Sequence, residues 1–126
     1  NVYMQCAGFN SDIDRQIKVK NKPGFQAVLN QIMVYQNLNV SSLCEAACIS
    51  RDTFYSLENG GNVGRQILCQ IILALELSLD ESEKFLEMKG LHLNENDILD
   101  VLFIECVKNK CTAEMYKEIL RNRNNK

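Results

Sequence analysis

The chain has a single proline, Pro23, and from there on its apolar residues recur almost unbroken at intervals of three and four. That spacing lines one face of a helix and cannot serve a strand, whose inward positions alternate. Phe25, Val28, Leu29, Ile32 and Met33 predict a first amphipathic helix to about Gln36. Pro23 suits its start, where a missing N–H is not needed. Asn39 or Ser41 is placed to cap a short second helix containing Leu43, Cys44 and Ala47. Ser50 caps a third, with Phe54 and Leu57 inward and Gly60 as its stop. Ile67, Leu68, Ile71, Ile72 and Leu75 mark a fourth, apolar enough to be largely buried. Asp80 and Glu83 give a start resembling a capping box for a fifth, carrying Phe85, Leu86 and Met88 and ended by Gly90. Asn94 opens a sixth, with Ile98, Val101, Leu102, Glu105 and Cys106 read as its inward face. Thr112 opens a seventh, with Met115, Ile119 and Leu120 on one side. No strand-period alternation appears, so the expected fold class is all-α.

At 126 residues the chain has the length of one domain. Three regions are expected: residues 1–22 as an N-terminal arm or the tail of an upstream region, 23–80 as a four-helix module, and 81–126 as a helical extension packed on it. The longest apolar run, Ile71 to Leu75, is far too short to cross a bilayer. The first residues lack the charged-then-apolar layout of a secretion signal, so a cytoplasmic location is expected. Six cysteines could suggest disulfides, but Cys6 stands in the N-terminal segment, and a reducing compartment and the placement of the other five in or beside helical, apolar stretches argue for small buried side chains. No pair has Cys-x-x-Cys spacing, and Cys44 and Cys48, four apart, fit the same packing role. No metal site is expected.

The sequence gives no catalytic constellation. His92 is the only histidine and sits in a Gly-Leu-His-Leu turn, where a surface role is the ordinary one. Gly60-Gly61-Asn62-Val63-Gly64 is glycine-rich but follows a helix, where a cap and a turn explain it better than a phosphate loop. The chain is therefore expected not to be an enzyme and to need no cofactor.

A net charge of −2 argues against a general polyanion binder until it is localised. Residues 1–24 carry four basic and two acidic side chains, residues 25–75 two and three, and residues 76–126 eight and eleven. The chain thus divides into a basic arm bearing Lys18, Lys20 and Lys22, a nearly neutral module and an acidic extension.

The stretch from Val40 to Asn59 says most about function. Two short helices joined by a tight turn must cross steeply. That requires a small residue where they touch (Cys44) and apolar residues filling the wedge at Leu43, Ala47, Ile49, Phe54 and Leu57. This is the helix-turn-helix pattern. The residues Leu38 to Glu45, then Ile49-Ser50-Arg51-Asp52-Thr53-Phe54-Tyr55, Leu57-Glu58-Asn59-Gly60 and Ala74 to Glu81 resemble the lambda-repressor-like, Cro/C1-type (XRE) helix-turn-helix family of bacteria and phages. The resemblance covers about residues 25–81 and leaves two or three C-terminal helices as an extension. In two places the sequence departs from the family pattern. Cys48 stands where the family usually has the turn glycine, and Val40 stands where it commonly has glutamine.

The resemblance implies a sequence-specific transcriptional regulator that binds double-stranded DNA through the second helix of the motif, about residues 50–59, in the major groove. Arg51 is then the foremost reader, since a guanidinium can hold guanine O6 and N7 with two hydrogen bonds. Asp52 can accept from a cytosine amino group or steady Arg51, and Tyr55, Ser56 and Asn59 complete the outward face. Backbone N–H groups at the helix starts near Ser41 and Ser50 are placed to bind phosphate. A homodimer through the C-terminal helices is the expected assembly. The alternative is a protein-interaction module with the same fold inside a larger multidomain protein, since fold alone does not fix function.

Overall fold

The computed structural model describes residues 24–61 and 63–124. Pro23, Cys6, the arm and its lysines at 18, 20 and 22 lie outside the described residues. Among those described there are seven helices and no strand. They are α1 (Phe25–Tyr35), α2 (Val40–Ala47), α3 (Arg51–Glu58), α4 (Arg65–Ala74), α5 (Leu79–Glu87), α6 (Ile98–Lys108) and α7 (Ala113–Asn124).

Helix α4 is the axis of the packing. Leu68, Cys69, Gln70, Ile71, Ile72 and Leu73 are buried on every side of it, as a helix apolar all round must be. It packs against α2, α5, α6 and α7, while α1 lies on α3, α5 on α6, and α7 also reaches α2. One continuous apolar cluster therefore joins α1–α4 to the C-terminal helices. Aromatic pairs mark two of its seams: Phe25 meets Phe85 at 4.7 Å between ring centroids, and Phe103 meets Tyr116 at 6.0 Å. Each fully buried Leu, Ile or Phe contributes about 1.5–3 kcal/mol relative to exposure.

The helix ends share one device. The four described residues with positive φ outside glycine and the two glycines with positive φ resolve into one terminator per helix from α1 to α6: Asn37, Cys48, Gly60, Glu76, Gly90 and Lys110. After each, the next N–H turns back to the carbonyl five residues earlier: Leu38 to Met33, Ile49 to Cys44, Gly61 to Ser56, Leu77 to Ile72, Leu91 to Leu86 and Cys111 to Cys106. This is the Schellman closure, which brings together the side chains at the two ends of that hydrogen bond.

Several expectations need correction. Asn39, not Ser41, caps α2, its side chain accepting from the Ser42 N–H at 2.7 Å. The capping box of α5 is Ser78 with Glu81, two residues earlier than the Asp80–Glu83 reading. Helix α6 begins after Asp97, because Asn94 closes a turn before it by accepting from the Asn96 N–H. Its inward residues are Asp100, Phe103 and Cys106, while Ile98 is 48% exposed. On α7 the inward side is Ala113, Tyr116 and Leu120, leaving Met115 and Ile119 outward. Periodicity fixed the helices there, but which of two apolar stripes faces the core depends on the neighbouring helices.

Candidate nucleic-acid interface

The candidate surface is the outer face of α3 with the start of α2. The three residues Cys48, Ile49 and Ser50 join the two helices. Cys48 adopts φ 58° and ψ 43°, a left-handed conformation, so the chain reverses where the sequence departs from glycine. The wedge between the helices is filled as the sequence predicts: Leu43, Ala47, Phe54 and Leu57 are fully buried, Cys44 is buried, and Ile49 is half-buried. The Cys44 thiol lies 3.9 Å from the Ser50 carbonyl. Burial pushes the Cys44 thiol above its ordinary range, and the nearby Arg51 charge opposes that only in part.

With Phe54 and Leu57 inward, the opposite side of α3 is set by helical geometry. Arg51, Asp52, Tyr55, Ser56 and Asn59 are all exposed, so the structure brings these five expected residues onto one surface. Among the described residues, no ion pair joins Arg51 to Asp52, so the guanidinium is not held by its neighbour. The Ser50 hydroxyl is already engaged. It accepts from the Thr53 N–H at 3.1 Å and lies 2.9 Å from the Thr53 hydroxyl. Any anion at this helix start must therefore be met by backbone N–H groups, with Ser50 as the cap. Ser41 is exposed on the first turn of α2, inside the helix and not at its cap.

Two supporting side chains, Gln70 and Gln26, do not follow from the sequence pattern. Gln70, buried on α4, donates from its amide to the Ala47 carbonyl at 2.8 Å and to the Cys48 carbonyl at 3.4 Å. It satisfies carbonyls freed where α2 ends and ties the turn to the central helix. Gln26 on α1 does the same for α3, donating to the Glu58 carbonyl. Gly61 closes the far end of α3, where a Cβ would come within 2.7 Å of the Ser56 carbonyl oxygen. The sequence signal for Gln70 was one polar residue inside the apolar run from Ile67 to Leu75. Such a residue needs a buried partner.

Elsewhere, Arg65 at the start of α4 pairs with Asp100 of α6 and donates to the His92 carbonyl. His92 itself lies exposed in the loop before α6. Among the described residues, no three His, Cys, Asp or Glu side chains are grouped as a metal ion would require. None of the described helices is long and apolar enough to cross a membrane. No family model, curated protein or solved structure matches the chain.

Proposed function

We propose that the chain is a sequence-specific DNA-binding transcriptional regulator, with a lambda-repressor-like helix-turn-helix whose second helix, α3, enters the major groove. The observation that carries this reading is the α2–turn–α3 unit. A left-handed turn residue and a filled apolar wedge hold α3 with Arg51, Asp52, Tyr55, Ser56 and Asn59 facing outward. Gln70 ties the turn and Gln26 the far end of α3, which is the rigidity a groove reader needs to place a guanidinium against one base. Assembly as a homodimer belongs to the same reading. Helix α7 exposes Met115 and Ile119 and is acidic in its first turn and basic in its last. Two copies laid antiparallel would set unlike charges opposite each other.

The test is binding to a duplex selected from a random pool, measured at two salt concentrations. A selected sequence is expected to bind better than the pool, and Arg51→Ala is expected to lose about tenfold or more of that preference. Equal, weak and unselective binding by wild type and variant would overturn the assignment.

One observation favours a second reading. Tyr55, in the middle of the same face, is 45% exposed, and an exposed aromatic ring is a common anchor for a protein partner. As an interaction module within a larger protein, the chain would retain a partner without nucleic acid, and Tyr55→Ala would release it.

A further inference from the structure

The closure at the end of α6 differs from the other five in what it brings together. The pairs at the ends of α1, α2, α4 and α5 are Met33 with Leu38, Cys44 with Ile49, Ile72 with Leu77, and Leu86 with Leu91. At the end of α3 the pair is Ser56 with Gly61. At the end of α6 both positions are cysteine. The Lys110 N–H donates to the Val107 carbonyl at 3.2 Å, and the Cys111 N–H donates to the Cys106 carbonyl at 2.9 Å. The Cys111 thiol lies close enough to Cys106 to add to the upward push on its ionisation. Both are free thiols, with Cys106 3% exposed and Cys111 half-buried at the surface. Cys69 of α4 and Tyr116 of α7 are buried nearby. The sulfurs are not grouped as a metal site.

We propose that Cys106 and Cys111 form a redox modification site, a dithiol that a small disulfide of the oxidised glutathione class converts to an intrachain disulfide. The backbone closure already brings the two residues together at one helix end, which is where the proposed bond forms. Cys111, the reachable sulfur, attacks the small disulfide as its thiolate. One glutathione leaves as thiolate, and the other stays on Cys111 as a mixed disulfide. Cys106 then gives its proton to solvent and attacks the Cys111 sulfur, expelling the second glutathione thiolate. The protein loses two protons and two electrons, and one oxidised glutathione takes them up to become two reduced ones. In the reduced pair, burial first and the Cys111 thiol second push the Cys106 thiol up to about 12; the burial persists in the mixed disulfide, so the second step is the slow one. Its rate is expected to rise about tenfold per pH unit, with the thiolate fraction.

The test treats the full reduced chain with oxidised glutathione and reads its intact mass and tryptic peptides. Lys108 and Lys110 lie between the two cysteines, so trypsin separates them unless a disulfide holds the fragments together. Loss of the mass of two hydrogens with a linked Cys106–Cys111 peptide is expected, as is a stable mixed disulfide at Cys111 in Cys106→Ser. Cys69→Ser should close as wild type does. Four results would overturn the proposal: no loss of hydrogen, a mixed disulfide on wild type that never closes, a link from Cys111 to any other cysteine including Cys6, or a Cys111→Ser variant modified at Cys106 as fast as wild type.

Discussion

Arg65 grips Asp100 with both arms of its guanidinium, Nε 3.1 Å from Oδ1 and a terminal nitrogen 2.8 Å from Oδ2. The pair is unequal: the Asp100 side chain is 8% exposed and that of Arg65 37%. The Asn94 N–H also donates to Oδ2, at 2.9 Å, so one carboxylate anchors the start of α4, the loop before α6 and α6 itself.

This asymmetry predicts unequal costs for removing either partner. Arg65→Met leaves a buried carboxylate without its cation and should destabilise by about 2–4 kcal/mol, near the range for breaking a buried pair. Asp100→Asn keeps an acceptor for the Asn94 N–H and leaves an arginine that can reach water, so about 1–2 kcal/mol is expected. Urea unfolding of the two variants checks the order, and an equal or reversed cost would refute it.

Glu81 predicts a pH dependence. Its Oε1 accepts from the Ser78 N–H at 2.7 Å, while Oε2 is buried without a hydrogen-bond partner. Burial raises the carboxyl from 4.5 to about 7, against the smaller opposing effects of the Ser78 N–H and Lys84. The folded chain therefore holds a proton that the unfolded chain has released. Its stability contribution is present below about 4.5, falls as pH rises toward about 7, and stays low above. The change is on the order of 1–3 kcal/mol. Glu81→Gln mimics the protonated form and should remove this part of the slope, making it more stable than wild type at alkaline pH. Thermal or urea unfolding across pH reads it directly.

Cys48 predicts a stabilising substitution. A side chain in the left-handed region costs about 1–2 kcal/mol, and glycine escapes that cost while giving back part of it as chain entropy. Cys48→Gly should therefore raise stability by up to about 1 kcal/mol, and Cys48→Val, branched at Cβ, should lower it. Unfolding midpoints in the order Gly, Cys, Val are expected. If α3 reads DNA, Cys48→Gly should leave that binding unchanged, because its side chain is not on the outward face.

How far the sequence carried depended on what each feature needs. In α1 to α3 a single apolar stripe per helix left one way to face the core, and α4, apolar all round, needed no such choice, so Phe25 to Met33, Leu43 to Ala47, Phe54 and Leu57 lie where their spacing put them. Helices α6 and α7 each carry two candidate stripes. There the deciding residues were Asp100, drawn inward by Arg65, and Tyr116, set against Phe103. The outer face of α3 followed from the inward pair Phe54 and Leu57. The supports beneath it, Gln26 and Gln70, did not, because a buried glutamine is explained only by a carbonyl distant in sequence.

The recurring helix stop also changes how such a chain is best read. Glycine is the usual mark of a helix end, yet it occupies only two of the six left-handed positions, at Gly60 and Gly90. The punctuation is carried instead by paired letters five apart, Met33/Leu38, Cys44/Ile49, Ile72/Leu77, Leu86/Leu91 and Cys106/Cys111. Scanning for glycine would miss four of these joints. Scanning for two apolar or sulfur-bearing residues five apart finds five of the six, and it lands on the one pair that also carries chemistry.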